Sequence, residues 1–324
     1  MTTVTAAATF PVSGSFATTP SYSGTFIPVI WSSKMNVKFY AASIFPAIAN
    51  TDWQGDIKGL GDKVIINNVP SITISNYTVG TNLTYQVPVP NTIELIIDKG
   101  KSFSFQVSDV LAYQSQPNQM EVFSNDASEQ MRVAVDADGL LGVYNGGHAN
   151  NKGATAGIKS AAYNMGTDNA PVTLTAANVL QKVLEMASVL DEQNVPESDR
   201  WLAIDPYTRV LLMQSNLAQA QFMGDSTSIV RNGMIGKIDR FTVYVSNQLP
   251  TAAAGQDFSG NAQGGALKRR AILAGHRSAI CFASQMTKME TLRNPNDFGD
   301  LVRGLQVYGY KVVKPEALVL LLAA

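Results

Sequence analysis

Residues 61–98 read GDKVIINNVPSITISNYTVGTNLTYQVPVPNTIELIID. The stretch predicts one long two-stranded ribbon. Val64, Ile65, Ile66, Val69, Ile72, Ile74, Tyr77 and Val79 run up one side. Leu83, Tyr85, Val87, Val89, Ile93, Leu95, Ile96 and Ile97 come back down. β-Branched and aromatic residues dominate, a composition that suits a pleated, half-buried surface. Gly80-Thr81-Asn82 supplies the turn. Pro70, Pro88 and Pro90 interrupt the runs, so this is not the middle of a wide sheet. A lone ribbon of two strands is marginal in water. It must lie on something, and the rest of the chain offers no evident cover.

Upstream, residues 1–50 are poor in charge and rich in Thr, Ala, Ser and Pro. Phe10, Phe16, Tyr22, Phe26 and Trp31 are scattered through them. Such a segment is too apolar for a disordered tail and too irregular for a core. It reads as an extended arm whose aromatics dock elsewhere, with a short amphipathic helix around Val29–Ala41. Downstream, Phe103, Phe105 and Val107 alternate like a half-buried strand. Ser115-Gln116-Pro117 then signals a helix start. Met120, Phe123, Ala127, Met131, Ala134, Ala137, Leu141 and Tyr144 keep the spacing of one buried helical face. From Asn118 to the stop at Gly146-Gly147 this helix would run about 40 Å.

Further along, Ala176–Glu192 predicts a second helix with Val179, Val183, Met186 and Leu190 on one face. Arg200–Asp205 predicts a buried strand, and Pro206 opens a helix through Gln214. Asn216–Asn232 is irregular, Gly233–Ser246 reads as one strand, and Thr251–Gly265 as a loop. Strands are expected at Ala266–Ala274, Gln285–Leu292, Leu301–Val313 and Leu318–Leu322. Helices and strands interleave without strict βαβ periodicity, which argues an α+β fold.

Composition narrows the function. Only 15% of the 324 residues are charged, against a typical value of about 25%. Neutral polar surface takes their place and suits extensive protein–protein contact. The formal net charge of −1 lacks the basic excess of a nucleic-acid binder. Residues 1–16 lack the pattern of a signal peptide, and the longest apolar run, Ala317–Ala324, is far short of a membrane span. A protein made in the cytoplasm, without membrane contact, is expected.

Constellations that carry chemistry are not encoded. The two histidines, His148 and His276, fall in a loop and a turn. Cys281, the lone cysteine, reads as a small buried hydrophobe. No Cys/His spacing suits zinc. Gly147–Thr155 lacks the Gly-Lys-Ser/Thr of a phosphate loop, and Asp297-Phe298-Gly299 lacks every other kinase motif. Lys268-Arg269-Arg270 reads as a strand with one wet face. No catalytic, cofactor-binding or metal-ligating residue is expected.

What stands out is an aromatic arm, a projecting ribbon, a long helix and a compact remainder. In that order of parts the chain resembles the major capsid (coat) proteins of tailed bacteriophages, with the Hong Kong 97 type fold. Arg200-Trp201-Leu202-Ala203-Ile204-Asp205-Pro206, the segment Gly233–Pro250 and Tyr308-Gly309-Tyr310-Lys311-Val312-Val313 are similar to stretches of such proteins. The resemblance implies an N-terminal arm at 1–50 and an extended β-hairpin loop at 51–98. It implies a peripheral domain with a spine helix at 99–145 and 284–300, and an axial domain with closing strands at 146–283 and 301–324. It implies identical subunits in pentamers and hexamers, forming an icosahedral shell that encloses double-stranded DNA without specific binding. The virion is the expected location, after assembly in the host cytoplasm. A portal and a decoration protein are expected partners. Residues 1–50 lack the heptad-like scaffolding helix of some relatives, so a separate scaffolding protein is expected, or none. Inter-subunit contacts are expected at Phe10, Phe16, Tyr22, Phe26 and Trp31 of the arm, and at Val69, Ile72, Ile74, Tyr77, Val79, Leu83, Tyr85 and Val87 of the ribbon. An encapsulin-like compartment shell, which shares the fold, is the alternative.

Overall fold

A computed structural model of the chain describes residues 41, 43–52, 63–68, 70, 72–76, 78–80, 82, 85–108, 119–215, 236–260, 267–295 and 297–324. In chain order its elements begin with α1 (Phe45–Ile48), β1 (Lys63–Asn68), β2 (Asn91–Ile96), β3 (Lys99–Ser108) and α2 (Gln119–Val143). Then come α3 (Val179–Glu192), β4 (Arg200–Ile204), α4 (Pro206–Gln214), β5 (Lys237–Ile238), β6 (Phe241–Val245) and β7 (Thr251–Ala252). The chain closes with β8 (Arg269–His276), β9 (Ile280–Arg293), β10 (Gly299–Val312) and β11 (Leu318–Ala323). Helices and sheets are mixed. One three-stranded sheet has the order β3-β10-β9, and a six-stranded sheet has the path β11-β8-β4-β6-β5 with β7 on β8.

Among the described residues the ribbon is laddered only at its base. β1 and β2 pair antiparallel from Lys63↔Ile96 to Asn68↔Asn91. Carried outward, that register sets Thr73 opposite Gln86, and a side chain replaces the backbone ladder there. Thr73 N donates to Gln86 Oε1 at 3.1 Å, and Gln86 Nε2 donates to Thr73 O at 3.1 Å. The register also brings the turn to Val79-Gly80, one residue earlier than expected, with Gly80 at φ +90 as a turn glycine. The expected continuous ribbon over Gly61–Asp98 is thus corrected. Pro70, Pro88 and Pro90 have no N–H to offer, so backbone pairing stops near the first of them.

A second correction concerns cover. The ribbon base does lie on its own chain: Ile66, Leu95 and Ile97 pack with Cys281, Ala283, Val307 and Val313. β9 and β10 supply that surface from about 200 residues downstream, where local pattern cannot reveal it.

The other face of the same sheet carries α2. This helix has 25 residues; its expected start at Ser115-Gln116-Pro117 lies outside the described residues. Its buried positions are Met131, Val135, Asp136, Gly139, Leu140 and Val143. Of the expected stripe only Met131 is fully buried, while Phe123 and Ala134 are exposed. The early turns of α2 lie along the edge strand β3, where Phe105 and Phe123 touch edge to face at 6.0 Å. The later turns meet β10 and α1 and are covered there. Phe45 of α1 is fully buried, edge-on to Phe282 at 5.1 Å and to Tyr310 at 5.9 Å.

The six-stranded sheet holds most of the core. β11 is buried along its whole length, and the expected face of α3 (Val179, Val183, Met186, Leu190) is buried with it. β4 is buried throughout. α4 begins where predicted, because Asp205 caps it by accepting from Thr208 N at 3.2 Å and Pro206 occupies the first turn. Gly233–Ser246 is not one strand: β5 and β6 form a hairpin, Ile238 opposite Phe241, with Asp239 in the left-handed region at φ +52. The loop expected at Thr251–Gly265 begins instead with β7, which pairs with β8. In the run Lys268-Arg269-Arg270 the expected wet face holds Lys268, which is exposed, and Arg270, which is half-buried, but Arg269 on the other face is fully buried. It donates to Asp168 O at 2.7 Å and to Gln256 O, and lies 5.6 Å from the Phe258 ring centroid. The expected irregular segment Asn216–Asn232 and residues 29–40 of the expected short helix lie outside the described residues.

Arg200 ties the end of α3 to the sheet. Its side chain is fully buried and donates to Pro196 O at 2.8 Å, Val195 O at 2.7 Å and Asp191 Oδ1 at 2.7 Å. Arg200→Met is expected to lower unfolding free energy by about 3 kcal/mol, because two buried carbonyls lose their donor. Urea unfolding followed by circular dichroism measures it.

Candidate assembly surfaces

The distal ribbon is the most exposed apolar feature among the described residues. Ile72 is 65% exposed, Ile74 94%, Val79 86%, Tyr85 90% and Val87 87%. Val89, absent from the expected contacts, is exposed beside them. Its signal was present in the sequence, as the same alternation that marks Tyr85 and Val87. Phe10, Phe16, Tyr22, Phe26, Trp31, Val69, Tyr77 and Leu83 lie outside the described residues. Large apolar side chains left in water at this density mark a binding surface or an aggregation hazard.

A second exposed group lies at the far end of the three-stranded sheet, with Met289, Leu292 and Phe298 around the β9–β10 hairpin and Leu305 further along β10. Phe298 belongs to the Asp297-Phe298-Gly299 triplet and is exposed there. Beside this sheet a groove of about 580 Å³ runs between β3 and α2, with Phe103, Phe105, Phe123 and Met131 in its walls.

Asp136, which no sequence pattern singled out, holds the chain at the start of α1. It is buried in α2 and accepts from Ile44 N at 2.8 Å, Phe45 N at 2.6 Å and Ser43 Oγ at 3.0 Å. One carboxylate thereby caps α1 from another helix. Burial pushes the Asp136 carboxyl above its usual range, although the bonds from Phe45, Ser43 and Ile44 pull the other way. A carboxyl raised on folding costs nothing below its unfolded value of about 4. The cost grows as pH rises from that unfolded value to the raised folded one, the interval in which only the unfolded state has released its proton, and is constant above it. Asp136→Asn removes that charge. Its stability relative to the parent is expected to improve with pH from about 4 upward and then level off. Asp136→Leu leaves two buried N–H groups without acceptors and is expected to cost about 3 kcal/mol below pH about 4, a cost that shrinks over the same pH window as the parent's own carboxyl ionises. Urea titrations across pH check both.

The residues weighed for chemistry sit in structural positions. His148 Nδ1 accepts from Asn150 N at 3.2 Å, and His276 Nδ1 accepts from Ser278 N at 3.1 Å. Burial lowers the His276 imidazole. Cys281 is buried under the ribbon base, and burial pushes its thiol up to about 12. A groove of about 550 Å³ with Asp205, Ser246, Lys268 and Arg270 in its lining lies where β4 and β6 end. Arg270 closes its floor, 3.2 Å from Asp205 Oδ2 and 4.2 Å from the Tyr207 ring centroid. Among the described residues no group of three or more His, Cys, Asp or Glu is placed to hold a metal ion. No described helix is long and apolar enough to cross a membrane.

The arrangement is that of solved phage capsids. A chain from the structure of Mycobacterium phage Che8 matches with a TM-score of 0.72 at 23% identity, over 91% of this chain and 97% of that one. The capsid structure of the cyanophage P-SCSP1u matches at 0.70 and 17%, over 92% and 93%. The mature capsid of bacteriophage PhiM1 matches at 0.64 and 14%, over 91% of each chain. At these identities the likeness establishes a shared fold. The phage capsid protein family matches residues 92–321, well over half the chain, and the chain belongs to that family. The matched span starts inside β2, so the outgoing half of the ribbon precedes it. No curated protein sequence matches the chain significantly. These matches do not favour the encapsulin-like alternative.

Proposed function

We propose that this chain is a major capsid protein whose copies associate as pentamers and hexamers into an icosahedral shell around a phage genome. The observation that carries the reading is the exposed apolar ribbon on a chain of the phage capsid family. Its distal half has nothing to cover it within the described residues, and a neighbouring copy is the cover we propose. Ile72, Ile74, Val79, Tyr85 and Val87, with Val69, Tyr77 and Leu83, would form the contact. The arm aromatics Phe10, Phe16, Tyr22, Phe26 and Trp31 would add a second overlap. Each side chain fully buried there contributes roughly 1.5–3 kcal/mol, offset in part by ordering costs. Many such overlaps in a closed shell reinforce one another.

In the Hong Kong 97 type arrangement, residues 1–50 would be the arm and 51–98 the extended loop. The peripheral domain would take 99–145 and 284–300, and the axial domain 146–283 with the closing strands of 301–324. The three-stranded sheet with α2 supports the first of these units, and the six-stranded sheet with α3 and α4 the second. β10 pairs with β3 and β9, so we move residues 301–312 from the axial to the peripheral unit. The net charge of −1 suits a wall that confines double-stranded DNA without gripping it. A scaffolding protein, a portal and a decoration protein are the partners such a shell would use, with assembly in the host cytoplasm and residence in the virion.

Negative-stain electron microscopy of the purified chain, alone and with a co-expressed scaffolding candidate, tests the reading. Closed particles or capsomer rings are expected. Monomers alone under both conditions would overturn it.

A further inference from the structure

The central strand β10 is gripped from both faces over four consecutive residues. On one face Val307 and Gly309 meet the joint that links β2 to β3. A Cβ on Gly309 would stand 2.2 Å from Ile96 O, so the joint rests directly on the strand backbone. Ile97 is buried in the same contact with Val307. On the other face Tyr308 and Tyr310 meet α2. Tyr308 Oη donates to Asp138 Oδ2 at 2.9 Å, and a Cβ on Gly142 would stand 2.0 Å from Tyr310 Oη. Lys99, the first residue after the joint, faces Tyr308 in the ladder. Its ammonium reaches the α2 side, 3.8 Å from Asp138 Oδ2 and 5.1 Å from the Tyr310 ring centroid.

We infer that Lys99, Asp138, Tyr308 and Tyr310 are positioning residues that fix the direction of the ribbon relative to α2 before any other copy is met. The ribbon root and the helix are bonded to the same short run of β10, so neither turns without moving the other. The ribbon runs about 35 Å from Asn68 to its turn at roughly 3.3 Å per residue, so a small rotation at the root becomes a large displacement at the tip. Burial alone would pull the Lys99 ammonium down, yet Tyr310 and Asp138 hold it above its ordinary value, as a charge bound at both ends would be. This inference rests on the ribbon being the assembly contact, and it adds that the contact is aimed by the isolated chain.

The test is a distance measurement between two spin labels on the unassembled full-length chain. Ile74→Cys places one on the ribbon, and Asn125→Cys places the other on the exposed side of α2. The native Cys281 stays unlabelled because it is buried. A single narrow distance distribution is expected. In Lys99→Met, and separately in Tyr308→Phe, it is expected to widen at least about twofold while the thermal midpoint moves only a few degrees, as when one conformer gives way to several. A broad distribution in the unsubstituted root overturns the inference without any variant. Equally narrow distributions in parent and variants overturn it too. Neither result bears on whether shells form, which electron microscopy reads separately.

Discussion

Excision of residues 70–88, with the cut ends joined through an Asn-Gly turn, is expected to leave a folded chain that forms no closed particles. The laddered base from Lys63 to Asn68 and from Asn91 to Ile96 survives the cut. So does the cluster of Ile66, Leu95 and Ile97 on β9 and β10. None of the described residues removed belongs to either buried cluster. The thermal midpoint is therefore expected to hold within a few degrees. Assembly loses the apolar side chains of every ribbon in the shell at once, and particle yield by sedimentation and electron microscopy is expected to fall at least about a hundredfold, because weak contacts in a closed shell compound. Normal shells from the excised chain would show that the ribbon is dispensable and that the proposed contact is wrong.

Gly309→Ala is expected to have the largest effect of any single methyl addition to the sheet. The new Cβ would fall 2.2 Å from a backbone oxygen, that of Ile96, and 2.9 Å from Ile97 Cδ1. A side chain can rotate away from such a clash, whereas a backbone oxygen moves only with its strand. The joint would lift from β10 and loosen Ile97 and Leu95. A loss of about 3 kcal/mol is expected, at the upper end for overpacking. Urea unfolding measures it, and Gly236→Ala is the control, since nothing lies within 4 Å of a Cβ there.

Legibility followed locality. α3 and α4 were readable because spacing, a capping Asp205 and Pro206 act within a few residues of the elements they define. The strands at β4, β10 and β11 were readable for the same reason. Their neighbours were not: β8 lies between β4 and β11, and β10 between β3 and β9, and no short pattern encodes such partners. Arg269 misled, because alternation counts any charge as solvated while loops supply its buried polar partners, and the burial of Asp136 in α2 went unread. Asp136 left one usable trace, being four residues before Leu140 on the stripe that continues to Val143. The ribbon residues of the candidate surface were legible as apolar. Their exposure depends on what the rest of the fold fails to cover, and it became visible only with the base seated and Ile72, Ile74, Val79, Tyr85 and Val87 exposed beyond it.

The three prolines of the ribbon bear on solubility. Ile72, Ile74, Tyr85, Val87 and Val89 form the kind of exposed, β-prone row that invites stray strands to zip on and grow into aggregates. A zipping strand needs an unbroken row of N–H groups, and Pro70, Pro88 and Pro90 remove three of them, two within the returning half. Side-chain fit survives these gaps, but generic backbone pairing does not. The ribbon can therefore stay sticky toward a surface shaped to receive it while remaining a poor template for fibres during the interval between synthesis and capture.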